Sequence, residues 1–224
     1  MGNKSNVILT ILLVVATMFI VLTRNVDTKD NAVEVNEYEQ VEEVVDQKQA
    51  FYDNCDKSVV QICAVLEDDK SLGSGFFVEE NKIATNYHVI KDSRVIYVLL
   101  KDDDTAYRAA VYSLDKENDL AILNLVDEIY STTKTLELSP ALSRDEIVYA
   151  CGFDLDYNVK ATKVIEDDYE YKGNNYIKID KPVNQGNSGG PVLNSAGQVI
   201  GMVMFGNNKN TSLIPAKKVL DLIQ

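Results

Sequence analysis

The 224-residue sequence has one histidine, no tryptophan, three cysteines and four prolines, and it is short of positive charge. A single histidine, His88, excludes a zinc site built on several imidazoles, and any imidazole chemistry must run through that one ring. Cys55, Cys63 and Cys151 are too few for a disulfide framework, and no CxxC pair exists, which excludes a Cys-rich structural zinc site. Cys55 and Cys63 could bridge in an oxidising compartment, but Cys63 sits in an apolar run. The three read as small buried or half-buried thiols. Lys plus Arg is 22 against 35 Asp plus Glu, a net charge of −13. Nucleic acid is therefore not an expected partner, because its phosphates demand clustered Lys and Arg. Four prolines and eleven glycines exclude a collagen-like or low-complexity chain. The apolar share of 46% is that of an ordinary globular protein, and the length admits one domain or two small ones. No cofactor and no metal is expected. The acidic clusters Asp102-Asp103-Asp104, Asp154 to Asp156 and Glu166-Asp167-Asp168 fit no EF-hand spacing and read as solvated loop charge.

The amino end carries what the rest lacks, a long uncharged apolar run. Val7 to Thr23 reads VILTILLVVATMFIVLT, with Lys4 before it and Arg24 after it. Spans need roughly 17–25 residues, so residues 7–23 are expected to enter the lipid bilayer as a transmembrane helix. A secretory signal peptide competes, but Val21 to Asp30 offers no small-x-small cleavage site, and an uncleaved anchor over residues 1–24 is the stronger reading. The amino terminus and Lys4, against the acidic stretch beyond, place the amino end in the cytoplasm and the remainder extracytoplasmic. Gly2 suggests myristoylation, but Asn6 stands where the motif needs Ser or Thr. Residues 25–50 are an acidic linker. Tyr38, Val41, Val45 and Tyr52 recur at helical spacing, which predicts an amphipathic helix against the following domain. The repeat is too brief to require an oligomerising coil, so a homo-oligomer stays open.

Residues 51–224 read as one all-β globular domain. Short Val-, Ile- and Tyr-rich runs are separated by Asp, Asn or Gly turns. They are Ser58–Leu66, Ser74–Val78, Lys82–Thr85, Val95–Leu100, Ala106–Leu114, Leu120–Leu125, Ile147–Cys151, Val159–Ile165, Tyr176–Ile179, Pro191–Leu193 and Val199–Phe205. That cadence predicts a sandwich or barrels. Pro215 to Ile223 reads as a closing helix, with Val219, Leu220 and Ile223 on one face.

Three segments carry candidate chemistry. Gly186-Asn187-Ser188-Gly189-Gly190-Pro191 hems a serine between glycines. A nucleophilic serine needs a tight turn whose N–H groups point at one spot, which Gly186 permits. Gly189 and Gly190 are expected to let a substrate backbone come close. The same hexapeptide also fits a plain turn between strands. Ala84-Thr85-Asn86-Tyr87-His88-Val89 places the sole histidine just after a strand. Asp119 directly precedes the strand Leu120-Ala121-Ile122-Leu123, with Asp115 as a rival acid.

Taken together, His88, Asp119 and Ser188 follow the order of the chymotrypsin-fold serine proteases. The local sequences resemble the HtrA (Deg) branch: T-N-x-H-V, D-x-x-x-D-L-A-x-L and G-N-S-G-G-P. Gly73-Ser74-Gly75-Phe76-Phe77-Val78 before the histidine is similar to that branch, as are Gly197 to Gly201 and Leu213-Ile214-Pro215 after the serine. The resemblance covers about Ser58 to Gln224. It implies a trypsin-like serine protease domain of two six-stranded β-barrels, with the triad in the cleft between them and a C-terminal helix. His88 would act as general base and acid, since an unperturbed imidazole titrates near ~6.5. Asp119 would hold its tautomer, and the N–H groups of Gly186 and Ser188 would form the oxyanion hole. Met204, Phe205 and Gly206 align with the family's substrate-pairing edge, although Met204 and Phe205 also suit a core. Trypsin-like enzymes that cut after Lys or Arg carry Asp six residues before the serine; here that place holds Pro182, and Asp180 lies two residues too early. The implied substrate is a polypeptide cut after a small or medium apolar residue. The resemblance runs out at Gln224, so the PDZ domain of many HtrA proteases, and activation through it, is not expected. Asn210-Thr211-Ser212 is a glycosylation sequon, meaningful only in a eukaryotic secretory route. The competing reading is a catalytically silent binding or scaffold module on the same fold.

Overall fold

The computed structural model describes residues 51–224 apart from Tyr130, Leu155 and Asn208. The expected anchor over 1–24 and the acidic linker with its helix over 25–50 lie outside the described residues. Among the described residues, no helix is long and apolar enough to cross a membrane.

Residues 51–58 are helical (α1). The first barrel follows, built from β1 (Val59–Val65), β2 (Lys70–Glu79), β3 (Lys82–Asn86), β4 (Val95–Leu99), β5 (Ala106–Asp115) and β6 (Leu120–Leu125), with the one-turn helix α2 (Tyr87–Ile90) after β3. The second uses β7 (Ile147–Phe153), β8 (Tyr157–Tyr171), β9 (Asn174–Ile179), β10 (Pro191–Leu193), β11 (Val199–Gly206) and β12 (Thr211–Pro215). Helix α3 (Ala216–Ile223) closes the chain. Both sheets close on themselves, in the orders β1-β2-β3-β6-β5-β4 and β10-β11-β12-β9-β8-β7. The all-β expectation of two six-stranded barrels and a C-terminal helix therefore holds, and of the sandwich and barrel alternatives the barrels are found.

Strand period makes the architecture. Successive side chains point to opposite faces, so one strand can feed two cores. In β6, Ala121 and Leu123 fill the first barrel with Val60, Ile62, Phe77 and Val98. Their neighbours Leu120 and Ile122 join Val59, Phe76, Cys151, Phe153 and Met202 in a separate cluster. That cluster draws on both barrels and forms the seam between them. Val148, Ala150, Ile177, Ile200 and Val203 fill the second barrel. A strand buried on both faces reads as an unbroken apolar run, which is how L-A-I-L appears in the sequence.

Three local readings need correction. Glu166-Asp167-Asp168 lies in β8, not in a loop. Glu166 pairs across to Lys178 on β9 (3.2 Å), whose ammonium sits 3.2 Å from the Tyr169 ring centre. Cross-strand charge pairs and aromatic cover stabilise an exposed hairpin without an alternating apolar face. Strand β12 and helix α2 were not foreseen, because five and four residues are too few to carry a period. The cysteines need none: they are free thiols as expected, Cys55 and Cys151 buried and Cys63 half-buried.

Asp180, just past β9, accepts the Thr162 hydroxyl (2.7 Å) and the Lys163 N–H (3.0 Å) on β8. The Thr162 bond, with support from the Lys163 amide and the Lys181 and Lys163 charges, holds its carboxyl below the usual carboxylate range. A carboxyl depressed by folding adds stability above its unfolded value of about 3.9, and that stability is lost as pH falls below it. Wild type should therefore be more stable to urea than Asp180→Asn at neutral pH, and the two midpoints should converge below about pH 4. A constant gap down to the lowest pH reached would contradict the assignment.

Candidate active site

Register in the first barrel brings His88 and Asp119 together. Strands β3 and β6 pair antiparallel, with Asn86 opposite Leu120. The next residue on one strand and the previous one on the other are then adjacent. The Asp119 carbonyl accepts the Tyr87 N–H (3.1 Å) and the Asn86 side-chain amide (3.1 Å). Asp119 has a φ of 56°, a left-handed conformation that Asp tolerates better than most residues. This bend turns its carboxylate onto α2. Oδ1 accepts the His88 backbone N–H at 2.8 Å, and Oδ2 lies 2.6 Å from His88 Nδ1. An ionised carboxylate can only accept, so Nδ1 carries the proton and Nε2 of a neutral ring is left as the acceptor. The rival Asp115 is occupied elsewhere, taking the Asn118 N–H (3.0 Å) and side-chain amide (2.5 Å).

The second barrel supplies the serine on the turn entering β10. Gly186 has a φ of +99°, and a Cβ there would lie 2.5 Å from the Phe153 carbonyl oxygen. Both the left-handed angle and the close approach demand glycine. The Asn187 N–H returns to the Asn184 carbonyl (3.2 Å), and the Gly190 N–H to the Asn187 carbonyl (2.9 Å). The N–H groups of Gly186 and Ser188 have no hydrogen-bond partner among the described residues. The expected role of Gly189 in admitting substrate is corrected. A Cβ on Gly189 would stand 2.1 Å from the Ser74 carbonyl oxygen, and one on Gly190 2.2 Å from that of Cys151. These glycines exist for backbone packing across and within the barrels.

A cleft of about 450 Å³ joins these parts. His88, Asp119, Ser188, Met204 and Gly206 line it, with Val183, Asn184, Gln185 and Val203. Strand β11 pairs with β10 only as far as Met202, and Val203 then bonds the Gly189 and Gly190 backbones. The register slips between Val203 and Phe205, so Met204 bulges out of the β12 ladder. Met204 to Gly206 thus present backbone on the side of the cleft. The Ser188 hydroxyl donates to the Met204 carbonyl at 3.3 Å and makes no hydrogen bond to His88. Val183, Asn184 and Gln185 were not foreseen as lining residues; the only signal was their closeness in sequence to Ser188.

Residues 73–202 match the trypsin-like peptidase domain. The magnetosome formation protease MamE of Magnetospirillum gryphiswaldense is 33% identical over 146 residues, covering 59% of this chain and 18% of that protein. A probable periplasmic DegP-like serine endoprotease of a Marinomonas species is 36% identical over 138 residues, covering 59% of this chain and 29% of that protein. The chain thus spans less than a third of the length of these relatives. Among solved structures, the HtrA-type protease AlgW with a tripeptide superposes with a TM-score of 0.69 at 25% identity, covering 78% of this chain and 61% of that one. On fold, motif order and these relatives, the chain belongs to the trypsin-like peptidase domain family, with HtrA- and DegP-type serine proteases among its homologues.

Proposed function

We propose that this protein is a membrane-anchored serine endopeptidase that uses His88, Asp119 and Ser188. The observation that carries the reading is the 2.6 Å contact between His88 Nδ1 and the Asp119 carboxylate, beside a cleft that Ser188 also lines. With Nδ1 tied, Nε2 takes the Ser188 proton as Oγ attacks the peptide carbonyl. The tetrahedral oxyanion is received by the Gly186 and Ser188 N–H groups, each worth roughly 3–4 kcal/mol of barrel-cleft catalysis by analogy with a single oxyanion donor. The imidazolium then protonates the leaving amine, giving an acyl-enzyme. Water attacks the ester with the same ring as base, releasing the acid and restoring Ser188. Asp119 holds the tautomer and offsets the imidazolium charge. Since Ser188 rests on the Met204 carbonyl, its hydroxyl must turn about Cα–Cβ towards His88 for the first step. That resting contact is the one feature that favours the silent-module reading.

The substrate is an extended polypeptide added as a strand along Met204 to Gly206. Among the described residues, Asp119 is the sole carboxylate in the cleft lining, whose nearby walls include Val183, Val203 and Met204. Asp180 is turned away onto Thr162 and Lys163. A Lys or Arg side chain would therefore be desolvated without a dedicated counter-charge. Residues 7–23 supply the bilayer anchor and the protease domain faces the extracytoplasmic side, close to unfolded or membrane-proximal proteins. The periplasmic assignment in the name of the DegP-like relative supports that side.

A fluorophosphonate probe should label the wild-type protein at one site, and Ser188→Ala should not label. Asp119→Asn should slow labelling by about 10⁴-fold through the wrong tautomer. Equal labelling of wild type and Ser188→Ala, or none of either, would sink the enzymatic reading, the second in favour of a silent module. In a peptide library, cleavage should follow small or medium apolar residues; a dominant cut after Lys or Arg would reverse the specificity proposal. The full chain should stay with membranes through alkaline carbonate extraction, and removal of residues 1–24 should release it; extraction of the full chain would dismiss the anchor.

A further inference from the structure

Ser74 is fully buried on β2, on the first-barrel side of the seam. All its polar groups are engaged, and three of the four contacts reach the second barrel. Its N–H donates to the Ser188 carbonyl (2.7 Å), and its carbonyl accepts the Thr85 hydroxyl (2.7 Å). Its hydroxyl donates to the Gly186 carbonyl (2.8 Å) and accepts the Phe153 N–H (2.8 Å). The direction is forced: an amide N–H only donates and a carbonyl only accepts, so the one hydroxyl proton goes to Gly186.

The consequence lies in the serine turn. A peptide unit is planar, so holding a carbonyl fixes its whole plane. Ser74 grips the carbonyls of Gly186 and Ser188. The Gly186–Asn187 plane lies between the two N–H groups assigned to the oxyanion. Gly186 itself is the residue with least resistance to rotation, at a φ of +99°. Asn187 donates from the opposite edge of that plane to Asn184 (3.2 Å). The plane is thus held at both edges, and the hydroxyl is the grip that comes from the other barrel. No other side chain hydrogen-bonds the Gly186 carbonyl among the described residues. Gly152 leaves room for it, since a Cβ there would approach the Ser74 oxygen to 2.9 Å.

We infer that the Ser74 hydroxyl is a positioning residue: it locks the Gly186–Asn187 peptide so that the Gly186 and Ser188 N–H groups converge on the developing oxyanion. This rests on the proposed serine chemistry. It acts on transition-state stabilisation, not on substrate affinity, because Ser74 does not line the cleft.

The test uses the full chain and a fluorophosphonate probe, whose phosphoryl oxygen occupies the same hole. Maximal inactivation rate and probe affinity are read separately, well below each variant's melting midpoint. Ser74→Ala should lower the maximal rate by about 10- to 100-fold and leave probe affinity within about twofold. Ser74→Thr, which restores a hydroxyl, should return the rate to within about threefold. A folded Ser74→Ala that reacts within about twofold of a reactive wild type overturns the inference and leaves the protease reading intact. If Ser74→Ala does not fold, Ser74→Thr decides: near wild-type rate supports the inference, and a folded but at least about tenfold slower protein overturns it. A wild type that does not react overturns both.

Discussion

The site depends on hydrogen bonds that cross the seam between two barrels. Each barrel closes its own hydrogen-bonded ladder. His88 and Asp119 belong to the first, and Ser188 to the second. Their relative placement is therefore not fixed by either ladder. It is fixed by the packed cluster of Val59, Phe76, Leu120, Ile122, Cys151, Phe153 and Met202, and by the directional bonds from Ser74 to Ser188 and Gly186. Apolar packing supplies most of the adhesion but little direction. Hydrogen bonds buried within that packing supply the register, because leaving one unmade costs about 1–3 kcal/mol.

Within the first barrel a different device operates. Asp119 is bent into a left-handed conformation that costs on the order of 1 kcal/mol. Two bonds to its carbonyl and two to its carboxylate offset that cost. The carboxylate accepts both the backbone and the ring of His88, so the residue is held at two points, one of them on the imidazole. The Nδ1 proton is thereby assigned, and Nε2 is the ring nitrogen left free of Asp119. Half of the His88 side chain stays exposed, at 48%, against 20% for Asp119. Asp119 is thus sheltered and His88 accessible, as the proposed proton shuttle to a substrate requires.

Much of this was legible in the sequence where local chemistry is steep. The glycine-hemmed Ser188, the sole His88 and Asp119 before an apolar strand each demand particular residue types, and eleven of the twelve strands announced themselves by composition. Strand ends were less legible. The β8 extension through Glu166 to Glu170 is polar on both faces and is held by partners on β9, which no local window displays. The misread purpose of Gly189 and Gly190 has the same origin. A glycine signals close approach, but only the fold says by what, and here it is the Ser74 and Cys151 carbonyls. The Ser74 hydroxyl reaches a residue 112 positions away. Nothing local in Gly73-Ser74-Gly75 says that the hydroxyl grips a peptide in the other barrel.

The central claim is that Ser188 leaves the Met204 carbonyl and works between His88 and the N–H groups of Gly186 and Ser188. A crystal structure of the protein treated with a peptide boronic acid tests it most directly. The account predicts boron bonded to Ser188 Oγ, one boronate oxygen within hydrogen-bond reach of the Gly186 and Ser188 N–H groups, and another facing His88 Nε2. A Ser188 hydroxyl still donating to Met204, with the boronate absent from the cleft or bound without that covalent bond, would contradict it.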